Sequence, residues 1–104
     1  MWLVEYAPAS LAERADLPPD MRARLARMAD VIEANGLANL PAGWVKFLEA
    51  KLWELRLTGK DGIARAIYVT AGRRVVIVRI FVKKTRKTPK RELQIARQRA
   101  KEIA

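Results

Sequence analysis

Apolar side chains recur along this chain with two different periods, and the change of period divides it. Met21, Leu25, Met28 and Ile32 fall at helical spacing and predict one helix with a single buried stripe. Pro18-Pro19 opens that helix, Asp20 stands in its first turn, and Asn35-Gly36 ends it. Arg22, Arg24 and Arg27 lie off the stripe. After residue 50 the period falls to two. Trp53, Leu55 and Leu57 share one face of a predicted strand, and Glu54 and Arg56 share the other. Thr58 to Gly62 carries two glycines and an aspartate and reads as a hairpin turn. Ile63 to Ala71 reads as the next strand, and Ala71-Gly72-Arg73 as a second tight connection. Val75 to Val82 is the most apolar run and predicts a strand near the centre of the sheet. Strict alternation puts Val76, Val78, Ile80 and Val82 on one of its faces and Val75, Ile77, Arg79 and Phe81 on the other.

The flanking segments are shorter. Trp2 to Tyr6 reads as a first strand stopped by Pro8, and Ser10 as the cap of a short helix over Leu11 to Ala15. Leu37 to Gly43 is a loop, and Trp44 to Ala50 fits either a short strand or irregular structure. Thr88 is expected to cap the last helix, with Pro89 at its first position. Leu93, Ala96, Ala100 and Ile103 give that helix a thin apolar stripe. The expected order is β-α-α-β-β-β-α. This is an α+β fold of one domain over residues 1–104: a small, mostly antiparallel sheet, two N-terminal helices packed on it, and a C-terminal helix.

Composition narrows the chemistry. With 51% apolar and 31% charged residues the chain is globular in character. Cysteine and histidine are both absent. That removes thiolate nucleophiles, thiolate metal sites, the commonest general base and the commonest metal ligand. Ser10 is the only serine, so a serine–histidine triad is excluded. No cofactor is indicated. The apolar runs are too short to span a membrane, and Glu5 interrupts the only signal-like start, so a cytoplasmic protein is expected.

Charge is the strongest signal. The formal net charge is +10, and residues 83–104 hold nine of the basic side chains against two acidic ones. Lys83, Lys84, Arg86, Lys87 and Lys90 put five cations into eight residues at a strand-to-helix junction. Such crowding is tolerated most readily where an anion binds, and a polyphosphate backbone is the first candidate. A solvated loop is the plain alternative. Arg56, Arg65 and Arg79 interrupt the strands, and each needs a carboxylate or an open, anion-binding face. Glu54 is a possible partner for Arg65 or Arg79. If the face is open, these arginines and the 83–87 loop form a concave basic surface, and Tyr68, Trp53 or Phe81 could stack on a base. RNA can be cut at such a surface by its own 2′-hydroxyl, provided charge is stabilised and two protons move. A lysine crowded by cations titrates low enough to serve; Glu54, Tyr68 and Glu92 are other candidates.

Three segments together carry a resemblance. KLWELR at 51–56, RAIYV at 65–69 and GRRVVIVRIFVKKTRKTPKREL at 72–93 are similar to the RelE/ParE toxin superfamily, above all its HigB-like, phage-derived branch. The resemblance implies a RelE-like fold. It also implies the toxin of a type II toxin–antitoxin pair: an endoribonuclease that needs no metal and cuts mRNA on the translating ribosome. It implies a helix-turn-helix antitoxin as partner. Arg65 matches the arginine tied to phosphate stabilisation, Lys83, Lys84 and Arg86 match the basic segment after the last strand, and Arg56 matches the family's strand arginine. These imply catalytic roles for Arg65, Lys83, Lys84 and Arg86, with Arg56 and Lys90 at the site; on the open-face reading Arg79, Lys87 and Tyr68 bind RNA beside them. This chain lacks the C-terminal tyrosine or histidine of some members. Other members poison gyrase and cut nothing, and a plain RNA-binding module is a further alternative.

Overall fold

The computed structural model describes residues 1–103. Its elements are β1 (Leu3–Tyr6), α1 (Pro8–Ala15), α2 (Pro19–Asn35), β2 (Val45–Glu49), β3 (Leu52–Gly59), β4 (Gly62–Ala71), β5 (Arg74–Lys83) and α3 (Lys90–Ala100). The strands form one sheet in the order β1-β5-β4-β3-β2. The four later strands are antiparallel neighbours, and β1 runs parallel to β5 at the other edge. The 44–50 segment is thus a strand, giving β-α-α-β-β-β-β-α. The rest of the expected α+β arrangement stands.

The α2 stripe behaves as its spacing predicts. Met21, Leu25, Met28 and Ile32 are fully buried and pack on Leu55, Leu57, Ala64, Ala66, Tyr68, Val75, Ile77 and Ile80. Gly36 ends the helix at φ +77°, a conformation that favours glycine. The opposite face of the sheet carries Leu52, Ile67, Val69, Val76 and Val78, covered by Ala96 and Leu93 of α3. Among the described residues no helix is long and apolar enough to cross a membrane.

Three local expectations are corrected. The first helix begins at Pro8, because proline there lacks only an amide proton that a first turn leaves unpaired. Ser10 therefore lies inside it, fully buried, its hydroxyl 2.8 Å from the Ala7 carbonyl and 3.0 Å from that of Ile77. Pro89, and not Thr88, stands at the cap position of α3, with no side-chain cap bond. Finally, β5 does not alternate strictly. Ile67 pairs with Arg79 and Tyr68 with Ile77, so Val78 is an extra residue, a β-bulge. The bulge moves Arg79 and Phe81 onto the face of Val76 and Val78, and Ile80 onto the face of Ile77.

Candidate nucleic-acid interface

The bulge and the strand register decide which cations meet. On the α3 face, Arg56, Arg65 and Phe81 stand in one row across β3, β4 and β5, and Thr58, Ile63 and Lys83 in the next. The row before these is Lys46, Glu54, Ile67 and Arg79. Helix α3 starts only at Lys90 and leaves the strand ends open. There the sheet and the following loop enclose a shallow basin of about 500 Å³, lined by Arg56, Gly62, Ile63, Lys83, Lys84, Thr85 and Arg86. A groove of about 590 Å³ between β1 and α2 is larger, but its Arg14 and Arg22 are balanced by Asp30 and Glu33.

Lys83 feels this setting directly. Desolvation holds its ammonium below the ordinary lysine range of 10.5, aided by the charges of Arg65, Arg56, Lys46 and Arg86. Its Nζ donates to the Arg86 carbonyl, folding the loop over the strand end. The Thr85 hydroxyl donates to the Lys87 carbonyl at 2.8 Å and tightens the same turn.

Arg65 stands beside Arg56 in the same row but is not one of the residues that line the basin. Its side chain is ion-paired with Glu54, diagonally across β3 and β4, and the two are 2% and 0% exposed. Burial alone lowers the Arg65 pKa. The guanidinium is thus enclosed, and its carboxylate partner is the Glu54 considered from sequence. Glu54 also accepts a hydrogen bond from the Thr88 hydroxyl at 2.9 Å.

Arg79 and Tyr68 do not join the basin. The Arg79 guanidinium is paired with Glu13 of α1 and, at 2.7 Å, with Glu92 of α3. Burial lowers its pKa, but the two carboxylates outweigh this and raise it. Glu54, the partner considered from sequence, serves Arg65 instead. Tyr68 points to the α2 face, is 3% exposed, and has its phenol pushed up to about 12 by desolvation. Its ring therefore stands on the other side of the sheet from the basin. Trp53 also lies on that side, against Phe47. Lys87 and Lys90 are exposed and continue the positive surface from the loop into α3. Lys46 is a cation that sequence reading missed, because its strand showed no clear period. Only the pairing of β2 with β3 brings it beside Glu54.

The model of the family described as "Phage derived protein Gp49-like" matches residues 13–101, from α1 to the end of α3. The chain belongs to that family. No curated protein matches this Gp49-like chain in sequence. Among solved structures it is similar to a double arginine-to-alanine mutant of the Escherichia coli toxin RelE in the free state. That likeness has a TM-score of 0.60 at 15% identity, over 99% of this chain and 98% of that one. The YoeB-YefM toxin–antitoxin complex of Staphylococcus aureus gives a TM-score of 0.54 at 14% identity, over 74% of this chain and 91% of that one. A second YoeB-YefM structure from the same organism gives 0.56 at 14% identity, over 82% and 98%. The Gp49-like chain thus has the RelE-like fold.

Proposed function

We propose that this protein is the toxin of a type II toxin–antitoxin pair. In this reading it is an endoribonuclease that needs no metal and cuts mRNA on the translating ribosome. The observation that carries the reading is the open basin in which Lys83, with its lowered pKa, stands among Arg56, Lys84 and Arg86. Family membership supports it, as does likeness to a toxin and a toxin–antitoxin complex. The implied partners are an antitoxin, of the helix-turn-helix class from the sequence resemblance, together with mRNA and the ribosome.

The chemistry needs three things. Arg56, Lys84 and Arg86 bind the scissile phosphate and stabilise the extra negative charge of the transition state. Neutral Lys83 takes the proton of the 2′-hydroxyl as its oxygen attacks phosphorus. The 5′-oxygen leaves and takes a proton from solvent, and a 2′,3′-cyclic phosphate remains.

Primer extension on mRNA before and after induction tests this. New 5′ ends at codons are expected with the wild-type chain, and Lys83→Ala and Lys84→Ala should abolish both the cuts and the growth arrest while the proteins stay folded. Arrest with intact mRNA and induced DNA damage would instead identify a gyrase poison. Binding without arrest would identify a plain RNA-binding module.

A further inference from the structure

We propose that Glu54 is a positioning residue for the basin: one carboxylate holds the Arg65 guanidinium and the Thr88 hydroxyl together, and so fixes the loop over residues 84–89 against the strand ends. The inference rests on the nuclease reading for its effect on catalysis, and on geometry alone for its effect on the loop.

Three separated stretches of sequence meet at this carboxylate. Glu54 comes from β3, Arg65 from β4, and Thr88 from the end of the loop that follows β5. The internal bonds of that loop are local, from Lys83 to Arg86 and from Thr85 to Lys87. The Lys83 bond ties the loop only to β5, the strand it leaves, whereas the Thr88 bond to Glu54 reaches β3, two strands away. Lys83 and Lys90 anchor its two ends in β5 and α3, so the Thr88 bond joins the Lys83 bond in setting how closely the cations between them approach Arg56.

Stability does not explain the arrangement. Well-packed apolar residues in place of a buried ion pair are often as stable or more so. A helix cap does not explain it either, since the Thr88 hydroxyl turns away from the first turn of α3 and toward the sheet. What the arrangement does supply is direction. The carboxylate partly offsets the Arg65 charge beside Arg56 and gives the loop a fixed point. Charge stabilisation of a phosphoryl transition state depends on such fixed points, because small displacements of the stabilising groups are costly.

Glu54→Gln is the obvious variant, but it leaves the Arg65 cation uncompensated in the interior and endangers folding. Thr88 therefore carries the test. Thr88→Val keeps shape and removes the donor; Thr88→Ser restores it. Two readouts are taken on the full chain after melting confirms that each variant is folded. The first is amide hydrogen exchange of residues 84–87, which needs no RNA. Exchange should rise about 10-fold in Thr88→Val and return to within about 2-fold of wild type in Thr88→Ser. The second is cleavage of mRNA in a translating extract. The catalytic rate should fall about 10- to 100-fold in Thr88→Val, with KM changed less than about 3-fold, and recover in Thr88→Ser. Unchanged exchange in folded Thr88→Val overturns the proposal, as does wild-type cleavage by that variant. If the wild-type chain does not cleave, the nuclease reading fails, and exchange alone decides whether Glu54 sets the loop.

Discussion

Lys83 gathers the consequences of the fold into one side chain. Desolvation and four neighbouring cations, from β4, β3, β2 and the loop, disfavour its charged form. A lysine that accepts a proton must first be neutral. If Lys83 is the base, single-turnover cleavage should therefore rise with pH and level off once pH passes its lowered pKa, below the usual 10.5. Lys83→Arg keeps the positive charge but stays protonated, so its rate should be low, without that rise. A pH–rate profile of both proteins checks this, and an identical rise in Lys83→Arg would remove Lys83 from the role. At this scale the sequence was partly legible. The excess of cations at 83–90 is visible by counting. That Arg65 shares a face with Ile67 follows from alternation. That Glu54 meets Arg65, while Arg79 meets Glu13 and Glu92, depends on register across three strands and two helices, which no local pattern encodes.

Among the elements, β5 and α3 show how a local irregularity is stabilised. The bulge at Val78 interrupts the ladder, and side chains satisfy the backbone around it. Arg99 of α3 donates to the Val78 carbonyl at 2.8 Å, and Glu13 of α1 accepts from the Ile80 amide at 3.0 Å. Glu13 also pairs with Arg79, and with Arg99 at 2.9 Å, so one carboxylate joins α1, β5 and α3. Glu13→Ala should cost about 1.5–3 kcal/mol in urea unfolding, the range for hydrogen bonds to charged groups. A loss under about 0.5 kcal/mol would place the network among surface pairs that contribute little. The α2 helix was legible because four apolar residues repeat at helical spacing between a proline pair and a glycine. Strand β2 was not, since Pro41, Gly43 and a mixed run of Val45 to Glu49 show neither period. The bulge was not either, because an extra residue in a continuous apolar run leaves no mark in composition.

For the molecule as a whole, the positive charge has a direction. Helix α2 covers one face of the sheet, α3 covers part of the other, and the remaining strand ends carry the basin. If Arg56, Lys83, Lys84 and Arg86 each neutralise a phosphate, the affinity for single-stranded RNA should fall with salt. The slope of log K against log[salt] would be roughly −3, from about −0.7 per contact. Lys84→Ala should reduce that slope by about 0.7. Fluorescence anisotropy over a salt series measures both, and a flat response would mean that the basin does not grip a backbone. Net charge made a nucleic-acid partner legible. The sequence did not show that α3 stops short of the strand ends, since where a helix lies on a sheet depends on packing against residues such as Ile67, Val69 and Val76, far from it in sequence.

The pairing of β1 with β5 has a consequence in time. Leu3 lies beside Arg74 and Tyr6 beside Ile77, so β1 waits 71 positions for its neighbour. Contacts of such long range form slowly, because most of the intervening chain must be ordered first. Lys83 ends that same β5 strand, and the loop that completes the basin follows it. Sheet closure and site assembly therefore share one deadline. In a copy still being translated, β1 is without this neighbour, and the cations are not yet gathered, until the chain has been made through β5 and the loop after it.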